Sequence, residues 1–129
     1  MKIGEFSKKS GCTIQTIRYY EKEGLIKSPG RSIGNYRLYN KADLKEIEFV
    51  KHCRSLDIPL KDIKTLLDLK NKPDESCSSV NELISNQLKL VNKRMSDLKS
   101  LRKELQQMKE SCITDNTVDE CGIMKSLDS

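Results

Sequence analysis

Apolar residues recur every three or four positions along most of this chain, and the breaks in that rhythm mark its elements. Residues 2–10 read as a first helix. The stretch "SGCT" reads as a turn, with Thr13 as N-cap of a second helix, "IQTIRYYEKEG", that stops at Gly24. The helical pattern is lost over "PGRSIGNYRLY" (29–39), where Gly30 and Gly34 supply turns and Ile33, Tyr36 and Leu38 suit short strands. Asn40 with Asp43 opens a third helix, "ADLKEIEFVKHCRSLD", which carries Leu44, Ile47, Val50 and Leu56 at helical spacing. Pro59 fits the first position of a fourth helix ending near Lys70. "NKPDES" (71–76), polar and centred on Pro73, reads as a linker.

The longest periodic segment follows. Val80, Ile84, Leu88, Val91, Met95, Leu98, Leu101, Leu105 and Met108 form one stripe on a helix of about nine turns. A helix of that length with one apolar face needs a partner, and the first half of the chain is too small to cover it. Reversed about its midpoint, the stripe matches itself: Ile84 meets Leu105, Leu88 meets Leu101 and Val91 meets Leu98. An antiparallel homodimer therefore buries Ile84, Leu88, Val91, Met95, Leu98, Leu101 and Leu105 in register.

Composition divides the chain into two kinds of surface. At 129 residues, 36% hydrophobic and 33% charged, it holds one compact domain, or a small domain with an appended element, with a small core and wet helix faces. Residues 1–70 carry 15 Lys/Arg against 9 Asp/Glu, net +6, and residues 71–129 carry 9 against 10, net −1. The basic half suits a polyanion. Two short helices around a turn, then a strand-like stretch, read as a helix-turn-helix with a wing. Gln15 and Arg18 are placed to reach base edges, and Thr16 bases or phosphate. One ring of Tyr19 and Tyr20 is expected to pack and the other to lie near phosphate. Arg31, Asn35, Tyr36 and Arg37 of the wing, with Arg54, complete the candidate contacts to double-stranded DNA.

The five cysteines are odd in number and irregular in spacing, so they do not read as a disulfide framework. Cys12 and Cys53 lie near apolar positions and read as small core residues. Cys112 and Cys121 flank eight residues on a polar stretch, where burial explains little. The register that pairs Ile84 with Leu105 also pairs Cys77 with Cys112. Within one helix these two lie roughly 50 Å apart, but in the antiparallel dimer Cys77 of one copy meets Cys112 of the other. Cys121 folds back to the same place, so three thiols converge at each end of the rod. Cys77 is expected in the first helical turn, where the dipole favours a thiolate. Three thiolates without an imidazole suit Cd(II), Pb(II), Hg(II) or Zn(II). The lone histidine, His52, reads as a surface or interface residue.

Other classes fit less well. No apolar run follows the basic start "MKIGEFSKKSG", and no stretch approaches a membrane span, so a cytoplasmic protein without membrane association is expected. A thiol oxidoreductase wants closely paired cysteines on a βαβ scaffold, and there is no nucleophile–base–orienter set or phosphate-cradling glycine loop, so no enzyme activity is expected. A metal-sequestering protein would leave the helix-turn-helix and wing unused.

With these residues in place, the chain resembles the MerR family of transcriptional regulators over essentially its whole length. The motifs that carry it are "KIGEFSKKSGCTIQTIRYYEKEGLI", "GRSIGNYRLY" and the long helix ending in a cysteine loop. "HCRSLDIPL", "PDESC" before "VNELI", and "CITDNTVDECGIM" look like its cadmium/lead-responsive branch of CadR and PbrR types. The resemblance implies a mainly α chain: a winged helix-turn-helix over 1–70, a linker over 71–76 and an antiparallel coiled-coil dimerisation helix over 77–111. A metal-binding loop and short helix (about 122–128) would then fill 112–129. It aligns Cys77, Cys112 and Cys121 with the three metal thiolates of the cadmium/lead and mercury branches. It further implies a homodimer that sits on promoter DNA beside RNA polymerase and activates heavy-metal resistance genes by distorting the promoter spacer. Cd(II) or Pb(II) is the expected effector. Hg(II) stays open because mercury sensors share the eight-residue gap, and Zn(II) remains an alternative, although zinc-type sensors usually add Cys or His near the loop.

Overall fold

The structure, a computed structural model, describes residues 1–27, 30–31, 37–113 and 115–128. Its elements are α1 (Ile3–Ser10), α2 (Ile14–Lys22), β1 (Gly30–Arg31), β2 (Arg37–Leu38), α3 (Lys41–Ser55), α4 (Leu60–Lys70), α5 (Ser78–Glu110), a 3-10 turn at Val118–Glu120 and α6 (Gly122–Leu127). The chain is mainly α, and it divides into two compact units, Met1–Leu83 and Ile84–Ser129.

Local chemistry sets the ends of the helices in the first unit. Gly11 closes α1 at φ 72°, a conformation an L side chain rarely adopts. The Lys51 ammonium donates to the Ser10 carbonyl at 3.0 Å at the same helix end. Thr13 caps α2, its hydroxyl accepting from the Thr16 amide at 3.1 Å. Asn40 and Asp43 form a reciprocal capping box on α3. Pro59 does not enter α4: it stands at the N-cap in extended conformation, and the helix starts at Leu60.

The core of this unit holds Phe6, Ile17, Leu25, Tyr39, Ile47, Val50, Ile58 and Ile63 with almost no exposure. Cys12 and Cys53 are buried among them. Tyr39 ties the base of the wing to the helices. Its ring stacks on Phe6 at 4.1 Å, its hydroxyl donates to the Glu21 carboxylate, and its amide donates to the Met1 carbonyl at 2.7 Å. β1 and β2 pair antiparallel, with Gly30 opposite Leu38 and Arg31 opposite Arg37. Expected strand residues Ile33 and Tyr36 lie outside the described residues.

Val80 and Leu83 pack partly buried against the first unit's core. The division between the units therefore falls inside α5 rather than at 71–76. The reason is apolar: the first turn of α5 has a core to cover, whereas its later turns have none within their own unit. In the second unit Ile84, Leu88, Met95, Leu98, Leu101 and Leu105 are exposed, as is Val91 at the margin. An open groove of about 360 Å³ runs between Leu98, Leu101 and Leu105, edged by Arg102 and Lys109. No helix among the described residues is long and apolar enough to cross a membrane.

Candidate nucleic-acid interface and thiol loop

The helix-turn-helix gathers five of the ten expected DNA contacts on one concave surface. Gln15, Thr16, Tyr19 and Tyr20 of α2 line a cleft of about 420 Å³ together with Arg54 from the end of α3 and Leu60 from the start of α4. Capping by Thr13 fixes the start of α2, so Gln15 and Arg18 both project to solvent. The two tyrosines differ in their surroundings: Tyr20 packs against the core, and Tyr19 is 45% exposed, its ring 6.0 Å from that of Tyr20. Burial, followed by the nearby Cys12 thiol, pushes the Tyr20 hydroxyl above its ordinary pKa, so it stays a neutral donor. Arg54 spends one guanidinium nitrogen on the Ile58 carbonyl at 2.8 Å, which fixes its direction at the edge of the cleft. Leu60 was missed from the sequence, although the proline that caps α4 marks where that helix would enter the site. Arg31 and Arg37 stand in register across the two-stranded ribbon. Asn35 and Tyr36 lie outside the described residues.

The second unit brings two of the three expected thiols together. Cys112 follows the end of α5, and Cys121 is the N-cap of α6. Their sulfurs stand 3.6 Å apart, both half-buried. Two thiolates bound to one ion at the usual zinc–sulfur distance and a tetrahedral angle lie about 3.8 Å apart, so the pair fits a shared soft ion. The two thiols titrate in opposite directions. The Met124 amide, then a hydrogen bond from Cys112, then the Ile123 amide hold Cys121 below the usual thiol range, partly offset by burial. Cys112 is pushed up, chiefly because its S–H is held by Cys121. The pair therefore gives up its two protons in separate steps, Cys121 before Cys112.

Cys77 is exposed and immediately precedes α5 rather than lying in its first turn. Its carbonyl accepts from the Asn81 amide at 2.9 Å, so it starts the helix from outside. Among the described residues of a single chain, no group of three or more His, Cys, Asp or Glu is placed to hold a metal ion. His52 is exposed on α3.

This geometry is that of a winged helix-turn-helix DNA-binding protein with a long C-terminal helix and a thiol loop. Residues 1–70 match the sequence family described as MerR HTH family regulatory protein, and residues 44–108 match the one described as MerR, DNA binding. The chain belongs to the MerR family of transcriptional regulators, a family that is not enzymatic. A Haemophilus influenzae protein, the HTH-type transcriptional regulator ZntR homolog, is 40% identical over 116 residues, covering 90% of this chain and 86% of its own. Escherichia coli HTH-type transcriptional regulator ZntR is 32% identical over 129 residues, covering 98% and 92%. Among solved structures, the transcription regulator PbrR691 from Ralstonia metallidurans CH34 in complex with lead(II) superposes with a TM-score of 0.88 at 42% identity, covering 98% of both chains.

Proposed function

We propose that this protein is a metal-responsive MerR-family regulator that binds promoter DNA as a homodimer and activates transcription on binding Cd(II) or Pb(II). The observation that carries the reading is the Cys112–Cys121 pair, two sulfurs held at 3.6 Å with no imidazole beside them among the described residues. Cys112 and Cys121 would hold the ion, with Cys77 of a second copy as the third thiolate. The bound ion supplies a cross-link between the loop of one subunit and the start of the partner's α5. The lead(II) complex of PbrR691, 42% identical to this chain, supports lead as one effector.

Each part of the chain has a task in this reading. Residues 1–70 grip an inverted repeat: Arg18 and Gln15 face base edges, and Arg31, Arg37, Tyr19 and Arg54 face the backbone. Residues 77–111 dimerise antiparallel through the apolar stripe. Residues 112–129 close on the effector and pull on the partner's rod, which shifts the paired DNA-binding domains. The operator spacer is then bent and untwisted into a form RNA polymerase uses, the deformation being driven by differential thiolate binding. The work is done at DNA in the cytoplasm, where thiols stay reduced.

Zinc is the second reading, favoured by the 40% identical ZntR homolog, and mercury a third that the eight-residue gap allows. The absence of further Cys or His in the loop sequence weighs against zinc. Reconstituted transcription from the cognate promoter, with each metal in turn, tests the proposal. Wild type is expected to respond to cadmium or lead most strongly, and Cys77→Ser to bind the operator normally without responding. An undiminished response in Cys77→Ser, or a response to zinc alone, overturns it.

A further inference from the structure

Gly122 follows one of the paired cysteines and Ser111 precedes the other, and the two are in backbone contact. A Cβ built on Gly122 would stand 2.3 Å from the Ser111 carbonyl oxygen, 3.0 Å from its hydroxyl and 3.1 Å from its carbonyl carbon. The obstacle is main chain, which does not swing aside as a side-chain tip does. Ser111 is itself fixed: its amide donates to the Gln107 and Met108 carbonyls at 3.1 Å, and its hydroxyl donates to the Met108 carbonyl at 2.6 Å. On the other side, Gly122 is the first residue of α6, with Cys121 as that helix's N-cap. The end of α5 and the start of α6 thus touch where a side chain is missing, one residue outside each sulfur. Gly122 is not in the left-handed region, unlike Gly11 and Gly24, so close approach rather than backbone freedom requires glycine here.

We propose, taking Cys112 and Cys121 as the metal ligands argued above, that Gly122 is a positioning residue. Its contact with the Ser111 carbonyl sets the sulfur–sulfur separation and so favours bent, three-coordinate binding over linear, two-coordinate binding. Restoring an ordinary contact at a Cβ there takes a shift of about 1 Å. Two thiolates at the zinc–sulfur distance reach about 4.6 Å only when the ion lies on the line between them. A loop opened by that amount holds Hg(II), which accepts two thiolates in a line, better than ions that need a bent site.

The test uses reduced full-length protein. Wild type, Gly122→Ala and Gly4→Ala are titrated with Cd(II), Zn(II) and Hg(II) against competing chelators, with sulfur-to-metal charge-transfer absorbance as readout. A Cβ at Gly4 meets nothing within 4 Å, which makes that variant the matched control. Alanine is the better helix former, so α6 is not lost to propensity. Gly122→Ala is expected to lose at least tenfold in affinity for Cd(II) and Zn(II), with a smaller loss for Hg(II), while Gly4→Ala matches wild type. Unchanged affinities in Gly122→Ala, or equal losses for all three ions, overturn the positioning role. Wild-type protein that binds none of them through Cys112 and Cys121 removes the ligand assignment itself, a result the wild-type titration alone reveals.

Discussion

Truncating Leu98 to alanine should loosen the dimer more than any disturbance of the chain itself. Leu98 is 63% exposed in the single chain, near the middle of the α5 stripe, where an antiparallel partner places Val91 against it. Fully burying a leucine side chain contributes about 1.5–3 kcal/mol. Covering the exposed part therefore contributes about 1–2 kcal/mol per copy, and about 2–4 kcal/mol over the two copies of a symmetric dimer. Leu98→Ala removes most of this, which raises the dimer dissociation constant by roughly 30- to 800-fold. Sedimentation equilibrium over a concentration series measures that constant. Lys93→Ala is the control. Lys93 lies on the opposite side of the helix, where it pairs with Asp97 at 3.1 Å with both side chains well exposed. A surface pair of this kind contributes little, so the control should dimerise like wild type. Equal dissociation constants for Leu98→Ala and wild type would refute the stripe as the dimer seam, and so would an equal loss in Lys93→Ala.

Three further outcomes are expected. Metal affinity should rise with pH and keep rising above the ordinary thiol range, because Cys112, pushed up by its bond to Cys121, is the last of the pair to lose its proton; a pH-independent Cd(II) affinity in chelator competition contradicts this. Arg18→Ala should weaken operator binding by about 1–3 kcal/mol in a gel-shift titration without changing the melting temperature, since Arg18 projects to solvent. Ile47→Ala, at a position with no exposure in the core of the first unit, should cost about 2–5 kcal/mol of stability in urea unfolding; a loss below 1 kcal/mol contradicts the packing described.

Much of this was legible in the sequence because periodicity and capping are local. Thr13, Asn40 and Asp43 announce helix starts that the structure bears out, and the 3–4 spacing predicts α3 and α5. Spacing fixes a face but not what covers it. Val80 belongs to the α5 stripe, yet it packs on its own core, and the boundary between units lies beyond the polar linker for that reason. The end of a pattern is weak as well, since Pro59 and Cys77 each fall one step outside the helix they were assigned to. At the thiol loop, the cysteines stand out by residue type. Gly122 does not, because the Ser111 carbonyl that excludes a side chain there is brought to it by the chain's return, eleven residues later. Leu60 is likewise silent in sequence, joining the α2 cleft only through the packing of α4.

The central claim is that each metal site is built by two subunits. Mixing Cys77→Ser chains with Cys112→Ser chains and isolating the heterodimer with two affinity tags tests it most directly. Neither variant homodimer keeps a complete site. In the heterodimer, one end unites the unaltered Cys77 of one subunit with Cys112 and Cys121 of the other. Counting Cd(II) by sulfur-to-metal charge transfer should give two tight ions per wild-type dimer, none in either variant homodimer and one in the heterodimer. A heterodimer that binds no tighter than its parents would contradict the shared site, leaving the DNA-binding domain and its contacts as described.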